Sequence, residues 1–514
     1  MPRACGHAYL GRFDALRRRA GNIMSLFTKK PIEVLLAQAS EDGEHTLRRS
    51  LGVPSLTLLG IGGVIGGGIF VLTGQQAAIN AGPAIVLSFV LAGIVCIFAA
   101  MCYAELAAMI PVSGSAYTYT YATLGEFVAW LIAWDLILEY GLAAATVSAG
   151  WAGHFNDMLK GFGVGIPAAW SSAPFTFDGN NLVETGSYLN LPAMCIVFLM
   201  GVVLISGITQ SALVNNLIVS LKVMVVLAVI AFGFAHIRPD LWHPLIPARI
   251  EPTAADPLGH YGYRGILTAA GVIFFAYIGF EAVSTAAQEA KNPQKTMPIA
   301  ILLSLGICTV LYLLMSLVIT GIMPYSQLNN EAPVAIALGA IPGLAWLRQA
   351  VNIAVAIGLA STILSLLYGQ SRIFYSMSRD GLLPPMFGRV NSKTRTPVWG
   401  TVITSFCAGI VGGLFPISVL GELVSMGTLL AFGLICAGVM YLRISQPDLP
   451  RSFKTPFVWV TAPLGIGGCI FLISGLPGPT WLRLFIWMAI GMVVYFGYAY
   501  WHSRTREKLT VPAE

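Results

Sequence analysis

Between Pro54 and Trp501 the chain returns repeatedly to apolar runs of about 20 residues, separated by short polar segments. About 20 apolar residues in a helix cross the hydrocarbon of a bilayer, roughly 30 Å thick. In lipid the backbone must satisfy its own N–H and C=O groups, so such runs predict helices. The composition agrees: 56% of residues are hydrophobic and 10% charged, where a soluble domain carries about 25% charged. The expectation is an all-α polytopic membrane protein.

Twelve runs are long enough to span, at 54–79, 83–110, 122–150, 188–208, 212–236, 264–286, 297–322, 346–377, 397–415, 418–441, 457–476 and 482–501. Loop charges test that count. With both termini in the cytoplasm, 22 of the 29 Lys and Arg fall inside and 6 outside (Lys160, Arg238, Arg249, Arg264, Arg348 and Arg483), leaving Lys222 within a span. The positive-inside rule supports this frame, because shifting it by one helix would reverse the bias. In a soluble chain the net charge of +6 would raise nucleic acid as a partner. Here the partner of these cations is the bilayer, and no nucleic acid is expected.

Residues 1–53 carry Arg17, Arg18 and Arg19 but no apolar core of a signal peptide, so they are expected to stay in the cytoplasm as a tail. Met24 offers a second start, which makes 1–23 a candidate upstream extension. Residues 502–514 form a second cytoplasmic tail. The outside loops Gly153 to Ser187 and Arg238 to Tyr263 read as ordered caps or lids. The eight cysteines include no C-x-x-C pair, so neither a disulfide framework nor a metal site is expected.

Within the first run, Gly60 to Phe70 (GIGGVIGGGIF) holds six glycines in eleven residues. Each costs a helix interior up to about 1 kcal/mol, inviting the helix to unwind. A broken helix at membrane depth is tolerated where its freed backbone groups line a cavity and meet a ligand, although small residues also serve close helix packing. A second interruption lies in the sixth run, Gly271 to Phe280 (GVIFFAYIGF). If spans 1–5 (54–237) and 6–10 (264–441) are inverted repeats, these two breaks occupy matching positions and point to a central site. Spans 11 and 12 (456–501) then stand outside the repeat.

Ionisable groups inside spans are costly and so carry information. Lys222 sits mid-span in VNNLIVSLKVMVVLAVIAFGF, too far from either end for its stem to reach water. Desolvation disfavours a charged amine, which suits a group that gains and loses a proton. A lysine held by a carboxylate or by carbonyls freed at a broken helix is the other reading. Asp135 and Glu139 share one face of the third span and so could line one aqueous path; the other reading of Asp135 is a buried acid with a hydrogen-bonded partner, and Glu139 reads as a substrate contact or a structural group. Glu281 directly follows the second break and either holds the unwound segment or takes a proton. Glu105 and Glu126 read as interfacial or gate residues, Glu422 as an interfacial residue, and the seven histidines as surface residues. No nucleophile elbow, zinc-helix or phosphate-loop motif is present, so no enzyme and no cofactor are expected.

Five stretches in order, GIGGVIGGGIFVLTG, CYAELAAMIPVSGSAYTYTYATLGE, WDLILEYGLA, FFAYIGFEAVSTAAQEAKNPQKTMP and QSRIFYSMSRDGLLP, resemble the cationic amino acid transporter family of the amino acid, polyamine and organocation superfamily. The resemblance covers Leu51 to about Trp501. It implies a five-plus-five inverted-repeat fold with two extra helices in a plasma membrane, and amino acid uptake coupled to protons. By position, Ile65, Gly66, Gly67 and Gly68 match the segment whose amides hold the substrate carboxylate. Phe275, Ala276 and Ile278 match the segment whose carbonyls take the α-amino group, with Phe275 as a gate. Lys222 matches the lysine that replaces a sodium ion and couples transport to protonation, and Glu139 and Glu281 match acidic positions near the site. One departure is Gly67, where many relatives carry a hydroxyl, leaving only backbone contacts there.

The expectation is therefore a proton-coupled L-amino acid importer for small neutral or cationic substrates, with the side chain near Ala354, Gly358 and Ala360. A proton-independent exchanger and a non-transporting amino acid sensor are the rivals.

Overall fold

The computed structural model describes residues 26–32, 35, 51–112, 115–178, 181–207, 212–251, 260–391, 394 and 396–504. Most of the N-terminal tail, with Arg17 to Arg19 and Met24, and the C-terminal tail beyond Arg504 lie outside the described residues.

The main helices are α1 (Val53–Val64), α2 (Ile85–Met109), α3 (Ser115–Thr123), α4 (Glu126–Gly161), α5 (Leu191–Ile205), α6 (Ala212–Phe234), α7 (Gly262–Ile273), α8 (Pro293–Ile322), α9 (Pro333–Gly339), α10 (Ala345–Arg379), α11 (Val398–Leu414), α12 (Ile417–Ser445), α13 (Val458–Ser474) and α14 (Gly478–Val494). Prolines open several of them where the missing N–H costs nothing, as at Pro54, Pro293 and Pro333. Asn190 caps α5 by accepting from the Ala193 N–H at 3.3 Å. Among the described residues, eight helical stretches are long and apolar enough to cross a membrane, and four shorter apolar helices (α1, α5, α11 and α13) accompany them. The apolar runs and the helices agree closely in position. The third differs most: α4 carries the helix on to Gly161, so the first residues of the expected outside loop are helical. That loop also holds an antiparallel hairpin, Phe175–Asp178 with Asn181–Glu184.

Packing sorts the helices into two groups. In one, α1, α2, α7 and α8 pack with the Phe280–Glu289 segment; in the other, α4, α5, α10 and α11 pack together. Helix α6 touches α1, α8 and α10, while α12 touches α2, α4 and α7, so these two join the groups. Helix α14 is stapled to α4 by reciprocal indole bonds: Trp134 donates to the Trp487 carbonyl at 2.9 Å and Trp487 to the Trp134 carbonyl at 3.0 Å.

At the end where α4 begins, Thr28 and Lys30 from the N-terminal side and Ser503 from the C-terminal side come together. The Glu126 N–H donates to the Thr28 carbonyl and Lys30 pairs with Asp380 at 2.9 Å, while Ser503 donates to the Glu126 carboxylate.

Candidate functional site

Helix α1 ends at Val64. Ile65 turns to extended backbone (φ −72°, ψ 95°), and a π-helical segment, Gly68–Leu72, starts afresh. The six glycines do more than loosen the helix. A Cβ on Gly68 would stand 2.4 Å from the Ala276 Cβ, and one on Gly63 would stand 2.9 Å from the Gly279 carbonyl oxygen. Both contacts are closer than a side chain allows, so the glycines let the two interrupted helices cross at backbone distance.

The partner interruption begins after α7. Phe274–Tyr277 tightens to a 3-10 turn, Ile278 is extended, and Gly279 takes φ +124° before a second 3-10 segment, Phe280–Glu289. Only glycine adopts that backbone readily. Glu281 caps the restart, its Oε2 accepting the Gly279 N–H at 2.8 Å. The bond ties the carboxylate to the turn at the break.

Side chains from outside the breaks collect the carbonyls that α1 and α7 release. The Lys222 ammonium donates to the Gly62 carbonyl at 3.0 Å, to the Ile65 carbonyl at 3.1 Å and to Thr362 Oγ1 at 2.7 Å. Its stem lies against Gly358, where a Cβ would come within 2.9 Å of two of its carbons. The carbonyl-held reading of Lys222 thus describes its geometry. Tyr312 Oη lies 2.7 Å from the Val64 carbonyl and 2.8 Å from the Ala276 carbonyl, sharing one proton between the two breaks. Ser425 accepts from the Phe275 N–H and donates to the Val272 carbonyl, both at 2.9 Å.

A cavity opens between these parts. Its lining includes Gly66, Gly67, Gly68, Phe275, Ile278 and Glu281 of the expected residues, with Tyr140, Ala143 and Val147 of α4 and Thr362, Ser365 and Leu366 of α10. Ile65 and Ala276 lie behind it, tied to Lys222 and Tyr312. The α4 face that meets the cavity is the 140/143/147 face. Glu139, one position away, is buried beside it and does not line it. Likewise Ala354, Gly358 and Ala360 are absent from the wall, which α10 forms one turn later.

Several expectations need correction. Asp135 is fully buried, but neither carboxylate oxygen has a hydrogen-bond partner among the described residues. His154 is not a surface residue; it is buried and bonded to Asn352 at 2.8 Å. Glu105 is a buried ion-pair centre, 2.8 Å from Arg443 and 3.1 Å from Arg451, because its helix end meets the α12–α13 connection. Glu126 is buried too, receiving Tyr121 and Tyr495. Tyr312, Ser425 and Thr362 escaped notice because a lone hydroxyl on an apolar helix carries no signal until its partner 36 to 248 residues away is known.

The amino acid permease family model matches residues 51–500. A methylthioribose transporter of Bacillus subtilis is 44% identical over 93% of this chain and 99% of its own length. The branched-chain amino acid permease BcaP of the same organism is 44% identical over 94% of this chain and 99% of its own. A vacuolar cationic amino acid transporter of Arabidopsis thaliana is 35% identical over 84% of this chain and 66% of its own. These matches are to transporters rather than enzymes. The chain belongs to the amino acid permease family, as a multi-pass membrane protein among relatives that include the cationic amino acid transporters.

Proposed function

We propose that this protein is a proton-coupled L-amino acid transporter of the plasma membrane that works by alternating access. The observation that carries the reading is the cavity between two interrupted helices. Orphan N–H groups at the start of the Gly68–Leu72 segment favour a carboxylate, and the carbonyls of Phe275 and Ile278 on the cavity wall favour an ammonium. Together they match the part that every amino acid shares.

The cavity wall also bears on the side chain. Tyr140, Val147, Leu366 and Ile278 offer apolar surface, and Glu281, its one acidic member, already caps Gly279. A cationic side chain would find no uncommitted counter-charge in that wall. The substrate in this reading is a neutral amino acid, small or branched, which accords with the relatives named as branched-chain permeases.

Twelve spans, a five-plus-five inverted repeat and cytoplasmic termini complete the proposal. The two helix groups would rock against each other about the cavity, with Lys222 linking α1 to α10 and Glu281 as the second candidate in proton coupling. A sodium-like role for Lys222 needs no metal, since the ammonium itself meets the freed carbonyls.

The test is uptake into proteoliposomes of labelled alanine, valine, leucine, arginine, lysine and methylthioribose, with and without an inward proton gradient. Gradient-driven accumulation of neutral amino acids supports the reading. Exchange without accumulation would indicate the proton-independent exchanger, and binding without movement a sensor. Transport of methylthioribose alone would move the substrate to that of the other relative.

A further inference from the structure

Along α4 the cavity wall is made by Tyr140, Ala143 and Val147. The next position on that face is Gly150, one turn further from Glu126. A glycine there leaves a notch that could prolong the cavity along α4, yet the cavity stops short of it. Side chains from elsewhere fill the notch. A Cβ on Gly150 would stand 3.1 Å from Ile417 Cδ1 and 3.3 Å from Val71 Cγ2. A Cβ on Gly67, in the first break, would stand 3.4 Å from the same Ile417 Cδ1 and 3.8 Å from the Val147 Cα. One methyl group thus lies in the angle between the first interrupted helix and α4, against a glycine of each.

Ile417 is the first residue of α12, directly after Pro416. On that helix Ile417, Gly421 and Ser425 recur every fourth residue and share a face. A Cβ on Gly421 would stand 3.2 Å from Leu72 Cδ1, and Ser425 bonds the Phe275 N–H and the Val272 carbonyl. The face therefore follows the seam where the interrupted helices meet α4. Ser425 pins it to the second break, and Ile417 closes it beside the first. Ile417 is buried, and Phe415 just before it packs on Phe175 of the hairpin, with ring centroids 6.1 Å apart. What separates Ile417 from an ordinary core residue is what its tip touches. Gly67 and Gly150 have no side chains that could swing in to replace a lost methyl, so a shorter residue at 417 leaves room beside the cavity.

We propose that Ile417 is a specificity-determining residue: its δ-methyl ends the cavity beyond Val147 and limits the length of apolar side chain that a substrate can carry. The proposal rests on the reading of that cavity as the substrate site. A substrate anchored by its carboxylate at the first break and by its ammonium at the second has the α4 and α10 walls left for its side chain. The longer that side chain runs along α4, the sooner it meets the 417 methyl.

The test is counterflow exchange of labelled L-alanine, L-leucine and L-phenylalanine by the reconstituted full chain. Ile417→Val removes the δ-methyl alone, and Ile417→Ala shortens the residue to its Cβ. In Ile417→Ala the ratio of kcat/KM for phenylalanine to that for alanine should rise about tenfold or more, the worth of a methylene in an apolar pocket. The gain should lie in the KM for phenylalanine, with leucine intermediate. Ile417→Val should move the ratio the same way by a smaller factor. A ratio taken within one preparation does not depend on how much of the variant folds, so a merely structural role leaves it unmoved. An unmoved ratio in Ile417→Ala overturns the proposal; should that variant not fold, an unmoved ratio in Ile417→Val overturns it equally. A wild type that exchanges none of the three removes the substrate-site reading and the proposal with it, whereas exchange with an unmoved ratio overturns the proposal alone. Counterflow needs no net proton movement, so a chain that exchanges without gradient-driven accumulation refutes proton coupling and leaves this test standing.

Discussion

Lys222 is where a single residue has the largest consequence. Replacing it by Met keeps the stem that Gly358 accommodates and removes donors from the Gly62 and Ile65 carbonyls and from Thr362. Each buried carbonyl left without a partner costs about 1–3 kcal/mol. Lys222→Met is thus expected to lower the thermal unfolding midpoint in detergent and to abolish gradient-driven accumulation. If accumulation persists undiminished, Lys222 is no coupling group. Tyr312→Phe is milder, since it deletes one shared hydroxyl and keeps the ring packed at a steep angle against Phe89 and Tyr277. It should raise the substrate KM about tenfold for some 1.4 kcal/mol of lost positioning, read by uptake kinetics. At this scale the sequence was legible only where a residue broke the rule of its surroundings. A lysine among Val and Leu announces itself, but its carbonyl partners do not, and His154 was misread because the third apolar run fades at residue 150 while the helix continues.

The interrupted helices form the element on which the site depends, and their breaks were readable because glycine at such density has few other uses in a helix. What could not be read was how they cross. Gly279 combines a φ of +124° with a Cβ position 2.3 Å from the Gly63 carbonyl carbon. Gly279→Ala therefore meets two penalties at once, strain of about 1–3 kcal/mol from the backbone and a clash with main chain that cannot swing aside. It should reduce kcat/KM for uptake by at least about 100-fold, the order expected for a misplacement near 1 Å at a reacting site. Gly306→Ala, whose Cβ meets nothing within 4 Å on α8, serves as the control and should transport normally. The α10 wall shows the same limit of sequence reasoning. Spacing along α10 suggested room at Gly358, yet that room is filled by the Lys222 stem, and the cavity opens at Thr362, Ser365 and Leu366 instead.

For the whole molecule the remaining question is its direction in the membrane, and two independent features bear on it. Cations crowd the segments assigned inside, 22 against 6, and residues from both sides of the chain meet at one end of the bundle, where Lys30 pairs with Asp380 and the Arg504 N–H donates to the Asp380 carbonyl. Helix α4 leads from that end to the other: its 36 residues rise about 54 Å at 1.5 Å each, enough to exceed the hydrocarbon and both headgroup layers. Phe162, just beyond α4 and 63% exposed, should then face the outside if Arg504 faces the cytoplasm. Cysteines placed one at a time by Phe162→Cys and Arg504→Cys, in a background with Cys5, Cys195 and Cys407 changed to Ser, distinguish the cases with a membrane-impermeant maleimide on intact cells. Label on Phe162→Cys alone supports the cytoplasmic placement of both ends. Label on Arg504→Cys alone inverts the molecule and removes the positive-inside argument, and with it the outside placement of Arg348. Label on both would mean that α4 does not carry the chain across, which its length and its burial between α10 and α12 oppose.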